Sequence, residues 1–237
     1  MISIIIPVYD TPYEWINECH VSVMNQTFTE FEVIYVNDGS TNRGTLKFFD
    51  EIKDNQKCKI IHLEHMGICK VLNMGLNECK YDFAVRMDSD DIMYKNKLEY
   101  QYDFMMKNKN IDLTGTYMDC CQFIDDKWIT TPTNNYHEPL ITFDVITTKS
   151  WIINHPTIMF KKEKVLSVGG YSEKISNIYA EDFDLWAKMF MAGMTLYNIP
   201  MPLLIYRCTQ TSLTNKYSPN NINFIKNWQE KIKKNVQ

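Results

Sequence analysis

The chemistry this sequence could perform is concentrated in carboxylates. Three acidic groups fall just past expected strand ends, where open α/β sheets bind their ligands: Asn37-Asp38-Gly39-Ser40, Arg86-Met87-Asp88-Ser89-Asp90-Asp91 and Glu181-Asp182. In the second group, an extended chain would aim Asp88 and Asp90 at one ligand and Ser89 at the opposite face. Three carboxylates in four positions repel one another, and a hard divalent ion such as Mg2+ or Mn2+ would relieve them while keeping places open for phosphate oxygens. Glu181 and Asp182 open a helical pattern, where acids suit the helix dipole and where one of them could serve as a general base. Each group also has a plain alternative: a turn rich in Asn, Asp, Gly and Ser, a charged strand-to-helix cap, and an acidic first helical turn.

The elements that must hold these groups alternate. Strand patterns at 2–7, 31–36, 59–63 and 81–87 are interleaved with helical ones at 14–24, 46–52 and 68–76, the signature of βαβ units feeding a parallel sheet. A long amphipathic helix follows at 97–107, then strands at 112–118 and 122–130, a polar loop at 131–137, a helix around 141–147, a strand at 157–160 and a helix over 180–192. Residues 189–206 carry no charge, but Gly193, Asn198, Pro200 and Pro202 would break a spanning helix, so this stretch reads as helix end, turn and two short strands. No linker or repeat divides the chain. The fold expected is one α/β domain with a mixed, mostly parallel sheet flanked by helices.

Composition narrows the function. The 237 residues carry a net charge of -4, with 45% hydrophobic and 23% charged residues, which is ordinary globular composition without a basic footprint for nucleic acid. Seven cysteines without a C-x-x-C pair read as reduced thiols, and no secretory pattern precedes the first strand; a cytoplasmic location is expected, with the cytoplasmic membrane surface as an extension of it. There is no G-x-G-x-x-G, no P-loop and no G-x-S-x-G elbow. His62 and His65 lack a third ligand nearby and read as surface loop residues.

In order along the chain, Ile4-Ile5-Ile6-Pro7-Val8-Tyr9, Val36-Asn37-Asp38-Gly39-Ser40, Gly67-Ile68-Cys69-Lys70-Val71-Leu72-Asn73, the Arg86 to Asp91 segment, His155-Pro156-Thr157, Gly169-Gly170-Tyr171, Ala180-Glu181-Asp182 and Tyr206-Arg207 resemble a family 2 glycosyltransferase of the Rossmann-like GT-A fold. The resemblance runs over about residues 2–212. It implies a domain at 1–212, an inverting transfer from a nucleoside-diphosphate sugar to a hydroxyl of a glycan or glycoconjugate acceptor, and Mn2+ or Mg2+ as cofactor. Pro7, Val8, Tyr9 and Asp38 would line the base pocket. An Asp38 carboxylate that accepts from the uracil N3–H favours UDP or dTDP sugars over CDP sugars, without excluding GDP. Lys70, Asn73, Arg86 and Asp88 would complete the nucleotide contacts. Asp90, with Asp88, would hold the cation. Asp182 would be the base, with Glu181 orienting the acceptor. His155 and Trp186 are either acceptor-side residues or structural ones.

Two departures stand out. The family's His after the late Tyr-Arg is absent, since Cys208 and Thr209 follow Arg207, and Leu72 stands where many relatives carry an Arg, so that a diphosphate contact is either missing or supplied by Lys70. Residues 213–237 lie outside the resemblance. There Ile222, Ile225, Trp228 and Ile232 recur at helical spacing among lysines, as a helix packed back on the domain, a homodimer contact or a weak membrane-surface contact. Two competing functions remain open at this level: a nucleotidyltransferase making nucleotide sugars, and a catalytically silent nucleotide-sugar binding module.

Overall fold

Seven consecutive residues of β1 (Ile2–Val8) and eight of β2 (Phe31–Asp38) are buried, as strands covered on both faces must be. The computed structural model describes residues 1–133, 137–176, 178–209 and 219–235. With β3 (Cys58–Leu63) and β4 (Phe83–Arg86) these strands form the parallel half of a sheet ordered β3-β2-β1-β4. The sheet continues through β8 (Met159–Lys161), β6 (Leu113–Ile124), β9 (Leu196–Cys208) and β5 (Ile92–Met93), with β7 (Lys127–Pro132) paired to β6. In this second half β8 runs antiparallel to β4 and β6, while β6 and β9 are parallel. The mixed, mostly parallel sheet expected from the sequence is therefore present.

Alternate side chains of β1 feed two cores. Ile2, Ile4, Ile6 and Val8 pack under α1 (Tyr13–Met24), α2 (Arg43–Ile52) and α4 (Lys97–Lys107), whereas Ile5 faces α3 (Ile68–Glu78) and α7 (Glu181–Met191). Asn42 caps α2 by accepting from the N–H groups of Gly44 and Thr45 at 2.8 and 3.2 Å. Two short helices, α5 (Phe143–Thr148) and α6 (Lys162–Ser167), complete the second half together with α8 (Pro219–Asn235). The boundary at 212/213 lies outside the described residues. Ile225 and Ile232 of α8 are buried in the core beneath α7, while Ile222 is exposed. No helix among the described residues is long and apolar enough to cross a membrane.

Three sequence expectations need correction. The break expected near 119–121 is continuous strand; the chain turns instead at Asp125 and Asp126, both at positive φ (49° and 60°), which Asp tolerates better than most residues and which suits a two-residue hairpin. Residues 196–208 form one strand, not two. The β6–β9 register jumps from Thr116↔Ile199 to Tyr117↔Pro202, so Pro200 falls in a bulge, at a point where β5 does not yet pair. His155 to Thr157 form a 3-10 turn, and the strand there starts at Met159.

Candidate active site

All three carboxylate groups open onto one cleft of ≈ 1130 Å³ at the C-terminal ends of β1, β2 and β4. Its wall includes Pro7 and Val8 from β1 and Tyr9 just after it, Asp38 from β2, the Arg86–Asp90 region, His155 and the Glu181–Asp182 pair. Lys70 and Asn73 are not on that wall. Ile68 and Val71 share the face of α3 that lines the cleft, and three-residue spacing puts Lys70 and Asn73 together on another. Asn73 uses both ends of its amide on the backbone of Tyr171, accepting from its N–H and donating to its carbonyl, each at 2.8 Å. Gly170, at φ +60°, makes this approach feasible, because a Cβ there would lie 2.6 Å from Asn73 Oδ1.

At the first group, two backbone N–H groups hold the Asp38 carboxylate on the cleft wall. Oδ1 accepts from Met66 N–H at 2.6 Å, and Oδ2 accepts from Gly67 N–H at 3.1 Å and faces His65 Nδ1 at 3.0 Å. Gly39 permits this, since a Cβ there would lie 2.7 Å from the His65 backbone nitrogen. His65 is consequently a cleft residue and not a plain surface one: its ring stacks on Tyr9 with centroids 4.4 Å apart. Asp10, strained at φ 48°, accepts from Thr41 and Asn42 N–H and so ties the 39–42 turn to the end of β1.

At the second group, residues 88–91 form a turn rather than an extended segment, yet Asp88 and Asp90 both reach the cleft. Ser89, expected on the opposite face, lines the cleft as well, because the turn removes the strand alternation; its hydroxyl is 2.7 Å from that of Thr11. Arg86 grips Asp88 in a bidentate pair at 2.8 and 2.5 Å. Burial opposes the guanidinium charge, but the carboxylates around it prevail and its pKa is raised. Asp90 is pushed up to about 6, first by burial and then by the Asp88 charge. Asp91 is also raised, by burial and then by the charges of Asp90 and Asp88; its Oδ1 accepts from Arg207 N–H at 2.9 Å, and Oδ2 is buried without a partner. Arg207 steadies the turn by donating to the Asp90 carbonyl at 2.8 Å, pairs with Glu18, and lies over the rings of Trp15 and Trp128.

At the third group, Glu181 is pushed up to about 7 by burial and by Asp182. Its Oε2 is buried without a partner, and Oε1 lies 3.7 Å from His155 Nδ1. Asp182 is also raised by burial, and its Oδ1 accepts from Phe183 N–H at 2.7 Å. Burial, then Arg86, keeps His155 neutral; its Nε2 is 2.9 Å from the Tyr171 hydroxyl. Trp186 is 1% exposed, edge-on to His155, and packs in the core where it also lines the cleft. Asp184 is fully engaged by Ser172, Lys188 and Trp228 and is structural.

Asp90 suits a hard cation, being a half-buried carboxylate raised by desolvation and then by the Asp88 charge. Among the described residues, no group of three or more His, Cys, Asp or Glu side chains is arranged around a common metal position. Thr209 lines the cleft beyond Arg207 without offering an imidazole. Of the described residues, one or two would ligate an ion here.

Residues 3–169 match the family described as Glycosyl transferase family 2. A UDP-Gal:alpha-D-GlcNAc-diphosphoundecaprenol beta-1,3-galactosyltransferase of Escherichia coli is 31% identical over 215 residues, 86% of this chain and 73% of its own. The O-antigen biosynthesis glycosyltransferase WbnJ of Escherichia coli is 32% identical over 198 residues, 80% of this chain and 71% of its own. Among solved structures, S. aureus TarS 1-349 in complex with UDP-GlcNAc matches with a TM-score of 0.70 at 22% identity over 89% of this chain, and the mannosyltransferase PcManGT from Pyrobaculum calidifontis in complex with GDP-Man and Mn2+ with 0.67 at 17% over 89%. The chain spans 59% and 58% of those two structures. At such identities the likeness speaks for the fold, which is that of the GT-A glycosyltransferases.

Proposed function

Because the chain belongs to glycosyl transferase family 2, we propose that its cleft transfers a sugar from a UDP-sugar to a hydroxyl of a glycan or glycoconjugate acceptor, with inversion and with a divalent cation. The observation that carries this reading is the shared cleft: one continuous wall joins Pro7, Val8, Tyr9 and Asp38 to Asp88 and Asp90 and then to Glu181 and Asp182. The name of the Escherichia coli galactosyltransferase, which specifies a UDP-sugar donor and a lipid-linked sugar acceptor, supports the choice of UDP and of a glycoconjugate.

In this mechanism Tyr9 and its neighbours seat the nucleotide, and Arg86 fixes Asp88 beside it. Asp90, with Asp88, would hold Mn2+ or Mg2+, which when bound offsets negative charge on the departing diphosphate. Asp182 takes the proton from the acceptor hydroxyl. Burial suits it to that task, since a raised pKa makes it a stronger base than a solvated aspartate. Attack from the face opposite the diphosphate inverts the anomeric centre in one displacement. Glu181, with a buried oxygen lacking a protein partner, is placed to accept from an acceptor or sugar hydroxyl.

The test is a panel of UDP, dTDP and GDP sugars with Mn2+ or Mg2+, read by donor hydrolysis and by ligand-induced thermal shift. UDP sugars should bind and hydrolyse slowly. Asp182→Asn should retain donor binding and lose transfer. Binding of no nucleotide sugar would overturn the assignment, and transfer retained in Asp182→Asn would move the base elsewhere.

A further inference from the structure

We infer that Asn221, on the C-terminal helix α8, is a positioning residue for the Glu181–Asp182 pair, because it fixes the backbone turn from which α7 starts. This rests on the reading of the cleft as a transferase site with its base on α7.

The turn is strained where it matters. Tyr179 has φ +52°, a left-handed conformation that a residue with a Cβ adopts only at a cost. Ala180 follows as the N-cap of α7 without a capping side chain, and Glu181 and Asp182 are the first two helical residues. Further along, Phe183, Leu185, Trp186 and Met189 are buried and pin the helix to the core. The direction of its first turn, and of the two carboxylates on it, is therefore set by the backbone at Tyr179.

Asn221 holds that backbone from outside. It is 0% exposed, and its amide nitrogen donates to the carbonyl of Ile178 and, at 2.8 Å, to that of Tyr179. The Ile178 carbonyl belongs to the peptide plane before Tyr179, and the Tyr179 carbonyl to the plane after it. One amide group that grips both planes fixes φ and ψ of the residue between them. The helix carrying Asn221 is itself well anchored: Asn221, Ile225, Gln229 and Ile232 form its buried face, and Gln229 donates to the Lys149 carbonyl at 3.1 Å. Trp228 Nε1 also donates to Asp184 Oδ1 at 3.1 Å, so α8 holds the chain on both sides of Glu181 and Asp182. The family match ends at residue 169, yet Ile225 of this helix lines the cleft.

The experiment follows hydrolysis of the UDP sugar that turns over fastest in the panel above, with Mn2+, so that water replaces the acceptor. UDP Kd by titration calorimetry and Tm are measured alongside, in wild type, Asn221→Ala, Tyr179→Gly, the double variant and Ile232→Ala. Asn221→Ala should lower kcat about 100-fold, the effect of a small displacement of a catalytic group, and leave KM and the UDP Kd within about two-fold. Glycine takes a left-handed backbone without strain, so in the Tyr179→Gly background the same substitution should cost at least about five-fold less. Whatever Tyr179→Gly loses with its ring cancels in that comparison. Ile232→Ala loosens α8 away from the turn and should lower Tm with kcat within about two-fold. If Asn221→Ala melts below the assay temperature, Asn221→Ser, which can donate to one carbonyl only, takes its place with a smaller loss of kcat expected. Wild-type kcat in the folded Asn221 variant overturns the inference. So does a matching loss of UDP affinity, an equal loss in the Tyr179→Gly background or an equal loss in Ile232→Ala, each of which would make Asn221 a packing residue only. Wild type that binds and hydrolyses no UDP sugar would instead overturn the cleft assignment, and the inference with it.

Discussion

Replacing Glu181 by glutamine should stabilise the ligand-free protein at pH 8 and leave it nearly unchanged at pH 5. The side chain is 13% exposed, and its pKa stands at about 7 against an ordinary 4.5, through burial first and the Asp182 charge second. The folded chain therefore keeps this proton to higher pH than the unfolded chain does. Stability falls as pH rises from 4.5 towards 7, and above 7 the whole cost of ionisation is present. At about 1.36 kcal/mol per pH unit that cost is about 3 kcal/mol. Glutamine does not ionise, so the variant escapes it. For a chain of this size the difference corresponds to roughly 6–12 °C in Tm. The assay is thermal unfolding of both proteins, without nucleotide or metal, from pH 5 to pH 8. Whatever the amide gains or loses in its own hydrogen bonds shifts Tm equally at every pH, so the change in the gap with pH is the readout. A gap that stays constant, or one that turns against the variant as pH rises, would refute the reasoning.

Asp90→Asn should follow the same sign in a lower window, 3.8 to about 6, with a gain of about 3 kcal/mol above pH 6 in thermal unfolding; the same variant should lose the Mn2+-dependent part of UDP binding by calorimetry. Asn73→Ala should cost roughly 2–4 kcal/mol in denaturant unfolding, because it removes two 2.8 Å bonds and strands the Tyr171 backbone. UDP affinity in that variant should change by less than about two-fold if Asn73 only docks the 169–171 loop, and a larger loss would return it to the diphosphate site.

What the sequence disclosed and what it concealed divide along contact distance. The buried run in β1, the alternation with helices and the placing of carboxylates past strand ends are local patterns, and they located the cleft. The state of each carboxylate is set by partners far along the chain. The Asp38 carboxylate is held by backbone nitrogens 28 and 29 positions away, and Asn73 is claimed by a residue 98 positions away. No spacing rule carries that information. One signal was available and easy to overlook: Arg86 and Asp88, opposite charges two residues apart at a strand end, were positioned to pair. The prolines of β9 were misleading for a different reason, since they disfavour a strand only where a neighbour needs their N–H.

The common direction of the pKa shifts bears on how such a site can take an anion. Asp90, Asp91, Glu181 and Asp182 are all raised, by burial first and, in all but Asp182, by neighbouring carboxylates as well. Arg86 is the only Lys or Arg among the described residues lining the cleft, and both of its terminal nitrogens are already committed to Asp88. Arg207 lies behind the turn, engaged by Asp90, Asp91 and Glu18. Among the described residues, a diphosphate entering this pocket meets carboxylates with little to offset them, unless positive charge arrives with it or Arg86 exchanges Asp88 for phosphate oxygens. The two routes differ in consequence. The first makes nucleotide affinity depend on Asp90 and on the cation; the second makes it depend on Arg86 and spares Asp90. An Asp90 whose pKa is raised by burial and by Asp88 favours the first, because a divalent ion there relieves the carboxylates and the phosphates together.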